Sequence, residues 1–181
     1  MTYSDSGRVI VAIDGDNTLA TLQKLSEDIG GKKIDLVELI KFVVNGSKPV
    51  DIFMYISVED DGSWPTGLHG FAYALKQQGI RIIPVPKIIV GTNEGRPVRK
   101  GYEDLEVMLE ILEYNETQYD RLVLFAGDSD FARFAGIMRK RGIRVEVATQ
   151  NANTNDWLLK ECNLYYNLRE LIKEHPELIR G

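Results

Sequence analysis

The chain has 181 residues, of which 44% are hydrophobic and 27% charged, a composition typical of a folded globular protein rather than a disordered one. Its 27 acidic and 22 basic residues give a formal net charge of −5. This balance excludes a protein that binds nucleic acid through bulk positive charge, but it permits a local basic patch. The single cysteine, Cys162, excludes an internal disulfide, and only two histidines argue against a multi-histidine metal site.

The compartment can be inferred from what the sequence lacks. No apolar run approaches the roughly 20 residues needed to span a bilayer, so we expect no membrane partner. The first residues, Met1 to Arg8, have neither the charged start nor the apolar centre of a signal peptide. We therefore expect a cytoplasmic protein that forms one domain over residues 1–181.

Apolar runs alternate along the chain with segments of helical periodicity. The apolar runs predict strands at residues 8–13, 50–56, 80–90, 121–126 and 143–149. The periodic segments predict helices near residues 34–44, 66–78, 102–115, 130–141, 155–161 and 168–173. Pro84 and Pro86 place the third strand at an edge or interrupt it, and residues 91–97 are expected to form a flexible loop. This alternation predicts a three-layer α/β, Rossmann-like fold with a mostly parallel central sheet.

Acidic residues follow two of the predicted strands. Asp14, Asp16 and Asn17 come directly after the first strand, and Asp128 and Asp130 come after the fourth. In open parallel sheets, ligands bind outside the carboxyl ends of the strands. Carboxylates placed close together need a cation, and Mg²⁺ or Mn²⁺ prefers oxygen ligands and activates water for attack on phosphate esters. The alternative is that these acids only cap the helices that follow them.

A third polar segment precedes the fourth strand. Glu103, Asp104 and Glu106 occupy the first turn of a predicted helix, where the helix dipole favours acids in any case. Lys100 lies just before that turn and is either a surface lysine or part of the same site. Glu110 follows Asp104 by six residues and does not share its helical face, so we expect at most one of the two at a metal site.

Three segments together carry a family resemblance: Asp14-Gly-Asp-Asn17 after its strand, Lys100-Gly-Tyr-Glu-Asp104, and Gly127-Asp-Ser-Asp130-Phe after its strand. In residue type, order and spacing they resemble the NYN domain, a branch of the PIN-like nucleases that includes LabA-like bacterial proteins. The resemblance covers about residues 8–166 and leaves 167–181 as a helical extension. It implies a PIN-type fold and a metal-dependent endoribonuclease that acts on single-stranded RNA.

The same resemblance implies roles for individual residues. The family's first-strand aspartate falls on Asp14, its motif asparagine on Asn17, and its paired acids on Asp128 and Asp130. Its third acid falls on Glu103 or, with a shift of one residue, on Asp104. These acids would hold Mg²⁺ or Mn²⁺. We expect Asn17 to orient a water or a ligand, and Lys100 or Arg133 to offset developing negative charge.

Two other interpretations remain open. Residues 14–19 also match the D-x-D-x-T-L nucleophile loop of haloacid dehalogenase-like phosphatases, in which Asp14 would attack phosphorus and Asp16 would act as general acid. The irregular acid after Lys100 is also compatible with a protein that retains the carboxylate pocket and binds RNA without turnover.

Basic and aromatic residues near these motifs are candidates for RNA contacts. Residues 95–101 and 131–145 contain basic residues and no acidic ones, so Arg99 and Arg133 are candidates for phosphate contacts. Tyr102 and Trp64 are candidates for stacking on unpaired bases, whereas Tyr55 fits the core equally well. The carboxyl-terminal segment 164–179 either packs on its own domain or pairs two subunits, so a homodimer is possible.

Overall fold

The computed structural model describes residues 7–150 and 156–180, with Arg99 described by its backbone alone. The strands are β1 Arg8–Asp14, β2 Lys33–Ile34, β3 Lys48–Val58, β4 Arg81–Pro86, β5 Ile88–Asn93, β6 Arg96–Lys100, β7 Arg121–Phe125, β8 Arg144–Thr149, β9 Leu164–Asn167 and β10 Ile179–Arg180. The helices are α1 Gly15–Asp28, α2 Leu36–Val44, α3 Leu68–Gln77, α4 Glu103–Leu112, α5 Asp130–Lys140, α6 Asp156–Glu161 and α7 Leu168–Glu174.

A six-stranded sheet forms the centre of the fold, in the order β4-β3-β1-β7-β8-β9. Every neighbouring pair in it is parallel. When these six strands are counted along the chain, their spatial order is 3-2-1-4-5-6, the order of Rossmann folds. The prediction of a mostly parallel sheet is confirmed. The order reverses between β1 and β7, so the crevice outside their carboxyl ends is where a ligand is expected.

Helices cover both faces of the sheet. Alternate residues of β1 face opposite sides: Val11 and Ile13 pack with α1, α2, α3 and α7, whereas Ile10 and Ala12 pack with α4, α5 and α6. All four side chains are buried almost completely. Because both faces are covered, β1 reads as a continuous apolar run, and the predicted three-layer architecture is confirmed.

Helix α1 was not predicted. It begins directly after Asp14, which serves as its N-cap, and it buries Leu22 and Leu25 against the sheet. Its first residue, Gly15, sits where a Cβ would lie 2.2 Å from the carbonyl oxygen of Tyr55 on β3. The glycine is required here by close contact between α1 and β3.

Residues 80–90 do not form the single strand that was predicted. They divide into β4, at the edge of the main sheet, and β5, which pairs with β6 in an antiparallel hairpin. The prediction of a flexible loop at residues 91–97 is therefore wrong, since the hairpin includes it. The prolines Pro84 and Pro86 are accommodated because β4 is an edge strand.

The carboxyl-terminal segment packs on its own domain. Leu164–Asn167 forms β9, the sixth strand of the main sheet, which was not predicted. Leu168, Ile172 and Leu178 join the hydrophobic core, and the short strand β10 pairs with β2. The extension after residue 167 is thus partly helical and partly extended. None of the described helices has the length and apolar character needed to cross a membrane.

Candidate active site

An acidic cleft lies at the carboxyl edge of the sheet, at the point where the strand order reverses. It has a volume of about 240 Å³ and contains six carboxylates and one lysine. Its lining residues are Asp14, Asp16, Asn17, Lys100, Gly101, Glu103, Asp104, Asp128 and Asp130. Each residue that the sequence predicted as catalytic or metal-ligating therefore lies in this one cleft.

Asp14 is the most deeply buried of the six acids in this cleft, with 7% of its surface exposed. It ends β1 and caps α1, because its Oδ1 accepts a hydrogen bond from the backbone N–H of Asn17 at 3.2 Å. Burial, with a smaller contribution from the neighbouring Glu103, Asp16 and Asp104, raises the pKa of Asp14 to about 7 against the lowering effect of that hydrogen bond. Its carboxyl group therefore ionises close to neutral pH and gains from a nearby cation.

Asp16 and Asn17 connect α1 to the strands on either side of β1. Asp16 Oδ1 accepts from the backbone N–H of Ser57 at the end of β3, at 3.2 Å. Asn17 Oδ1 accepts from the backbone N–H of Gly127, after β7, at 3.0 Å. The side-chain oxygen that was expected to orient a water or ligand thus binds the loop that carries Asp128.

Glu103 lies at the first position of α4 and is almost fully buried, with 9% of its surface exposed. Its side chain folds back over Gly101, where a Cβ would collide with the carboxylate. Burial raises the pKa of Glu103, and Asp16 and Asp104 add to this effect. Within the described part of the chain its Oε1 has no hydrogen-bond partner. A buried carboxylate oxygen without a donor is what a cation would satisfy.

Asp104 lies against Asp130 across the cleft. The negative charge of Asp128 raises the pKa of Asp130, and a hydrogen-bonding contact with the Asp104 carboxyl raises it further, while Lys100 lowers it. Two carboxyl groups in contact must share a proton or a cation. Both candidates for the third acid therefore lie in the cleft, Asp104 beside Asp130 and Glu103 nearer to Asp14 and Asp16.

Asp128 also has a capping role, as the alternative interpretation of these acids suggested. Its Oδ1 accepts from the backbone N–H of Asp130 at 3.1 Å and from the hydroxyl of Ser129 at 3.3 Å. The side chain of Ser129, the N-cap residue of α5, makes no capping hydrogen bond. Capping and metal binding are compatible, because the second oxygen of an aspartate remains available to a ligand.

The donor set fits a hard divalent cation, although the side chains do not converge on one point. Across residues 7–150 and 156–180, no three Asp, Glu, His or Cys side chains are grouped to hold an ion as they stand. The cleft nevertheless offers almost only oxygen ligands. Among them are the Oε1 of Glu103, which has no hydrogen-bond partner in the described part of the chain, and the carboxyl groups of Asp104 and Asp130, which are in contact. Such donors suit Mg²⁺ or Mn²⁺.

The residues predicted to contact RNA are not all at this site. Lys100 lines the cleft, and its Nζ lies 5.6 Å from the ring centroid of Tyr102, which is 37% exposed at the start of α4. Arg133 is exposed on α5 and is not among the described residues that line the cleft. The side chain of Arg99 lies outside the described part of the structure.

Trp64 was a candidate for stacking on unpaired bases, and it is not among the described residues that line the cleft. It is half-buried against the hydrophobic core, with its ring 5.9 Å from that of His69 on α3. For Tyr55, the sequence allowed either a core position or base stacking. It is 4% exposed, and its hydroxyl donates a hydrogen bond to Glu110 at 2.9 Å. Neither aromatic is available to a base at the cleft.

Three residues that support the site were missed. Gly15 allows α1 to approach β3, and the backbone N–H groups of Ser57 and Gly127 hold Asp16 and Asn17. The glycine between two acids was a signal of close backbone approach. Backbone donors give no side-chain signal, so those at residues 57 and 127 could not be found from residue types.

A parallel sheet with an acidic cleft at its switch point is compatible with a PIN-like nuclease fold. The family model of the NYN domain matches residues 8–169, and the chain belongs to this family. The match favours the nuclease interpretation over the phosphatase one. Among relatives, "Low amplitude and bright protein LabA" of Synechococcus elongatus is 24% identical over 168 residues, which cover 91% of this chain and 85% of LabA.

A solved structure shares the fold. The crystal structure of a protein of unknown function from Vibrio parahaemolyticus superimposes with a TM-score of 0.70 at 16% identity. The match covers 93% of this chain and 96% of the Vibrio chain. At this identity the likeness establishes the architecture alone.

Proposed function

We propose that this protein is a metal-dependent endoribonuclease that cuts single-stranded RNA in the cytoplasm, and that residues 1–181 form one domain. One observation carries the proposal: six carboxylates from three separate segments meet at the switch point of the sheet, with Asp104 and Asp130 in contact. A cluster of like charges is unfavourable without a cation, so the arrangement is explained by a bound ion rather than by stability.

The cleft residues divide into groups that hold an ion and groups that act around it. Asp14, Asp128 and Asp130, with Asp104 or Glu103, would hold Mg²⁺ or Mn²⁺. When bound, the ion supplies a water of lowered pKa and neutralises charge on the phosphate. Lys100 lies close enough to lower the pKa of Asp130, so its ammonium also offsets negative charge that develops on a phosphodiester at the rim. Asn17 acts as a positioning residue through its bond to Gly127.

The preference for single strands rests on the rim of the cleft. Tyr102 presents a partly exposed ring beside the Lys100 ammonium. An aromatic face next to a cation suits an unpaired base followed by its phosphate, and a base within a duplex cannot reach such a ring. Arg133, and Arg99 from the hairpin, would contact the phosphate backbone further along the strand.

Cleavage of labelled RNA tests this proposal. We expect the wild type to cut a single-stranded RNA in Mg²⁺ or Mn²⁺, to leave a fully paired duplex intact, and to lose activity in EDTA. Asp128→Asn retains the shape of the side chain and should abolish cleavage while the protein stays folded. If no RNA is cut in any divalent ion, and the variant is indistinguishable from the wild type, the enzymatic proposal fails.

A second function is favoured by the arrangement of the acids as they stand. Because no three of the described acidic side chains converge on one point, the cleft is also compatible with a protein that binds RNA without cutting it. Such a protein would bind single-stranded RNA with micromolar or tighter affinity in EDTA and in Mn²⁺ alike, and cleavage would remain absent.

A further inference from the structure

The exposed hydrophobic side chains of this protein are concentrated in one part of the chain. Of the thirteen large hydrophobic residues that are exposed in the described structure, eight lie between residues 88 and 112. They are Ile88, Ile89, Val90, Val98, Tyr102, Leu105, Leu109 and Leu112. Scattered apolar residues need no explanation, but so many exposed within one short stretch of chain indicate an interaction surface.

Helix α4 is apolar on two opposite faces. Val107 and Ile111 face the core and are fully buried, whereas Leu105, Leu109 and Leu112 point away from it and are 46%, 49% and 46% exposed. The three exposed leucines follow one another at spacings of four and three, the pattern by which one helix packs against another. The core already covers the opposite face of the helix, so this second apolar face of α4 is suited to a partner.

The hairpin of β5 and β6 is exposed in the same way. It forms a two-stranded sheet of its own, and every residue of β5 is exposed. An isolated hairpin is at best marginally stable in water, and its open edges favour further pairing. Three consecutive apolar residues, Ile88 to Val90, place hydrophobic side chains on both of its faces.

We propose that this surface, made of the β5–β6 hairpin and the outer face of α4, is covered by a second copy of the same chain. The two parts carry opposite charge. On the hairpin, Arg96 is exposed, and on α4 and its carboxyl-terminal cap the acids that neither line the cleft nor pair with Arg81 are Glu106 and Glu113. Around a two-fold axis, each surface contacts its own copy, so the basic hairpin of one protomer meets the acidic flank of α4 in the other.

The size of the surface agrees with a dimer. With Tyr102 left to the cleft, seven apolar side chains at roughly half exposure, together with the backbone of the hairpin, present on the order of several hundred Å² per protomer. A stable interface buries about 800 Å² on each partner. Glu106 and Glu113 flank the row formed by Leu105, Leu109 and Leu112. If α4 of one protomer contacted only α4 of the other, these like charges would come together. The hairpin's Arg96, on the opposing copy, would neutralise them.

The surface adjoins the acidic cleft without sharing its metal-binding acids. Lys100 ends the hairpin and Gly101 follows it, and both residues line the cleft. A second copy would therefore lie beside the rim of each cleft. The proposal is independent of the nuclease assignment, because its test measures molar mass in solution rather than cleavage of RNA.

Molar mass in solution tests the dimer. By light scattering or sedimentation at micromolar concentration, we expect the wild type to have twice the 20.5 kDa mass of one chain. Leu105→Glu and Leu109→Glu, each at the centre of the row, should raise the dimer dissociation constant about 100-fold and give monomers. Tyr73→Glu is the matched control: Tyr73 is 61% exposed on α3, and this variant should remain dimeric.

A charge exchange tests which parts meet. Arg96→Glu and Glu106→Lys should each weaken the dimer, and the double variant should recover part of the affinity. Circular dichroism and thermal unfolding of all variants check folding, since these side chains are exposed in one protomer. A wild type that stays monomeric overturns the proposal. A dimer that survives both leucine variants, or stoichiometric purification with a different protein, also overturns it.

Discussion

The side chain of Asn17 accepts a hydrogen bond from the backbone N–H of Gly127 at 3.0 Å, across the point where the order of the strands reverses. Asn17 lies in the first turn of α1 and Gly127 in the loop after β7, so this bond holds the two acidic segments at a fixed distance. It explains why an asparagine stands among carboxylates, since an amide oxygen accepts the bond without adding another negative charge.

We expect Asn17→Ala to release the loop that carries Asp128. Loss of one partly buried hydrogen bond should lower the free energy of unfolding by about 1 kcal/mol, whereas cleavage should fall by at least about tenfold. Thr18→Val is the matched control, because it removes the hydrogen bond from Thr18 Oγ1 to the Phe125 carbonyl on the core side of α1. That variant should lose stability but retain activity, and equal loss of activity in both variants would contradict a positioning role for Asn17.

The burial of Asp14 predicts an unusual pH dependence of stability. Its pKa is about 7 in the folded protein and near 3.8 when exposed, so folding favours the protonated form. The stability this contributes is complete below about pH 4 and is lost as pH rises through about 7. In EDTA, we expect the unfolding free energy of the wild type to fall over this range by on the order of 4 kcal/mol relative to Asp14→Asn.

Asparagine is a suitable replacement at this position because it caps a helix as well as aspartate does. Denaturant unfolding of both proteins at several pH values provides the measurement. Parallel pH profiles for the wild type and Asp14→Asn would show that the folded protein does not hold this carboxyl group in a buried environment.

Asp14 and Asp16 should differ in their effect on catalysis. Asp16 projects toward β3 and accepts from Ser57, and an asparagine there keeps the acceptor oxygen. We expect Asp14→Asn to reduce RNA cleavage at least about tenfold more than Asp16→Asn, a difference of about 1.4 kcal/mol in the barrier. Aryl phosphates should not be hydrolysed. Rapid hydrolysis of an aryl phosphate, lost equally in both variants, would indicate the phosphatase chemistry instead.

The third acid can be identified by binding of Mn²⁺ to the folded protein. Because Asp104 contacts Asp130, we expect Asp104→Asn to reduce Mn²⁺ affinity more than Glu103→Gln does. Ion at 100 times its Kd adds about 2.7 kcal/mol to stability, which a thermal unfolding titration resolves. The reverse ranking of the two variants would assign the position to Glu103, and no stabilisation of the wild type would argue against a metal site.

The location of the site was predictable from the sequence, because acids after two apolar strands must meet at one edge of a parallel sheet. That reasoning gave Asp14, Asp16, Asp128 and Asp130, all of which line the cleft. The role of Asn17 was not predictable, since it depends on a backbone donor, Gly127, that is 110 residues away in the chain. The family resemblance indicated a nuclease. The acidic residues alone do not distinguish a nuclease site from a phosphatase site.

The parts of the fold that were missed depend on contacts between distant segments of the chain rather than on the local sequence pattern. Helix α1 opens on a glycine that tertiary packing against Tyr55 requires, whereas local propensity disfavours it in a helix. The β5–β6 hairpin has few apolar alternations and a proline, Pro97, in its second strand, so its pairing was not visible. Trp64 follows a polar loop, and only the position of α3 shows that its ring packs against the core.

The most direct test of the central claim is cleavage of one single-stranded RNA by the wild type and by Asp130→Asn in Mn²⁺. Glu27→Gln serves as the control, because Glu27 is an exposed acid on α1 that is not among the described residues lining the cleft. If the acidic cleft is a metal-dependent nuclease site, the wild type and Glu27→Gln cut the RNA at equal rates, and Asp130→Asn does not. Equal cleavage by all three proteins, or none by the wild type in any divalent ion, would contradict this account.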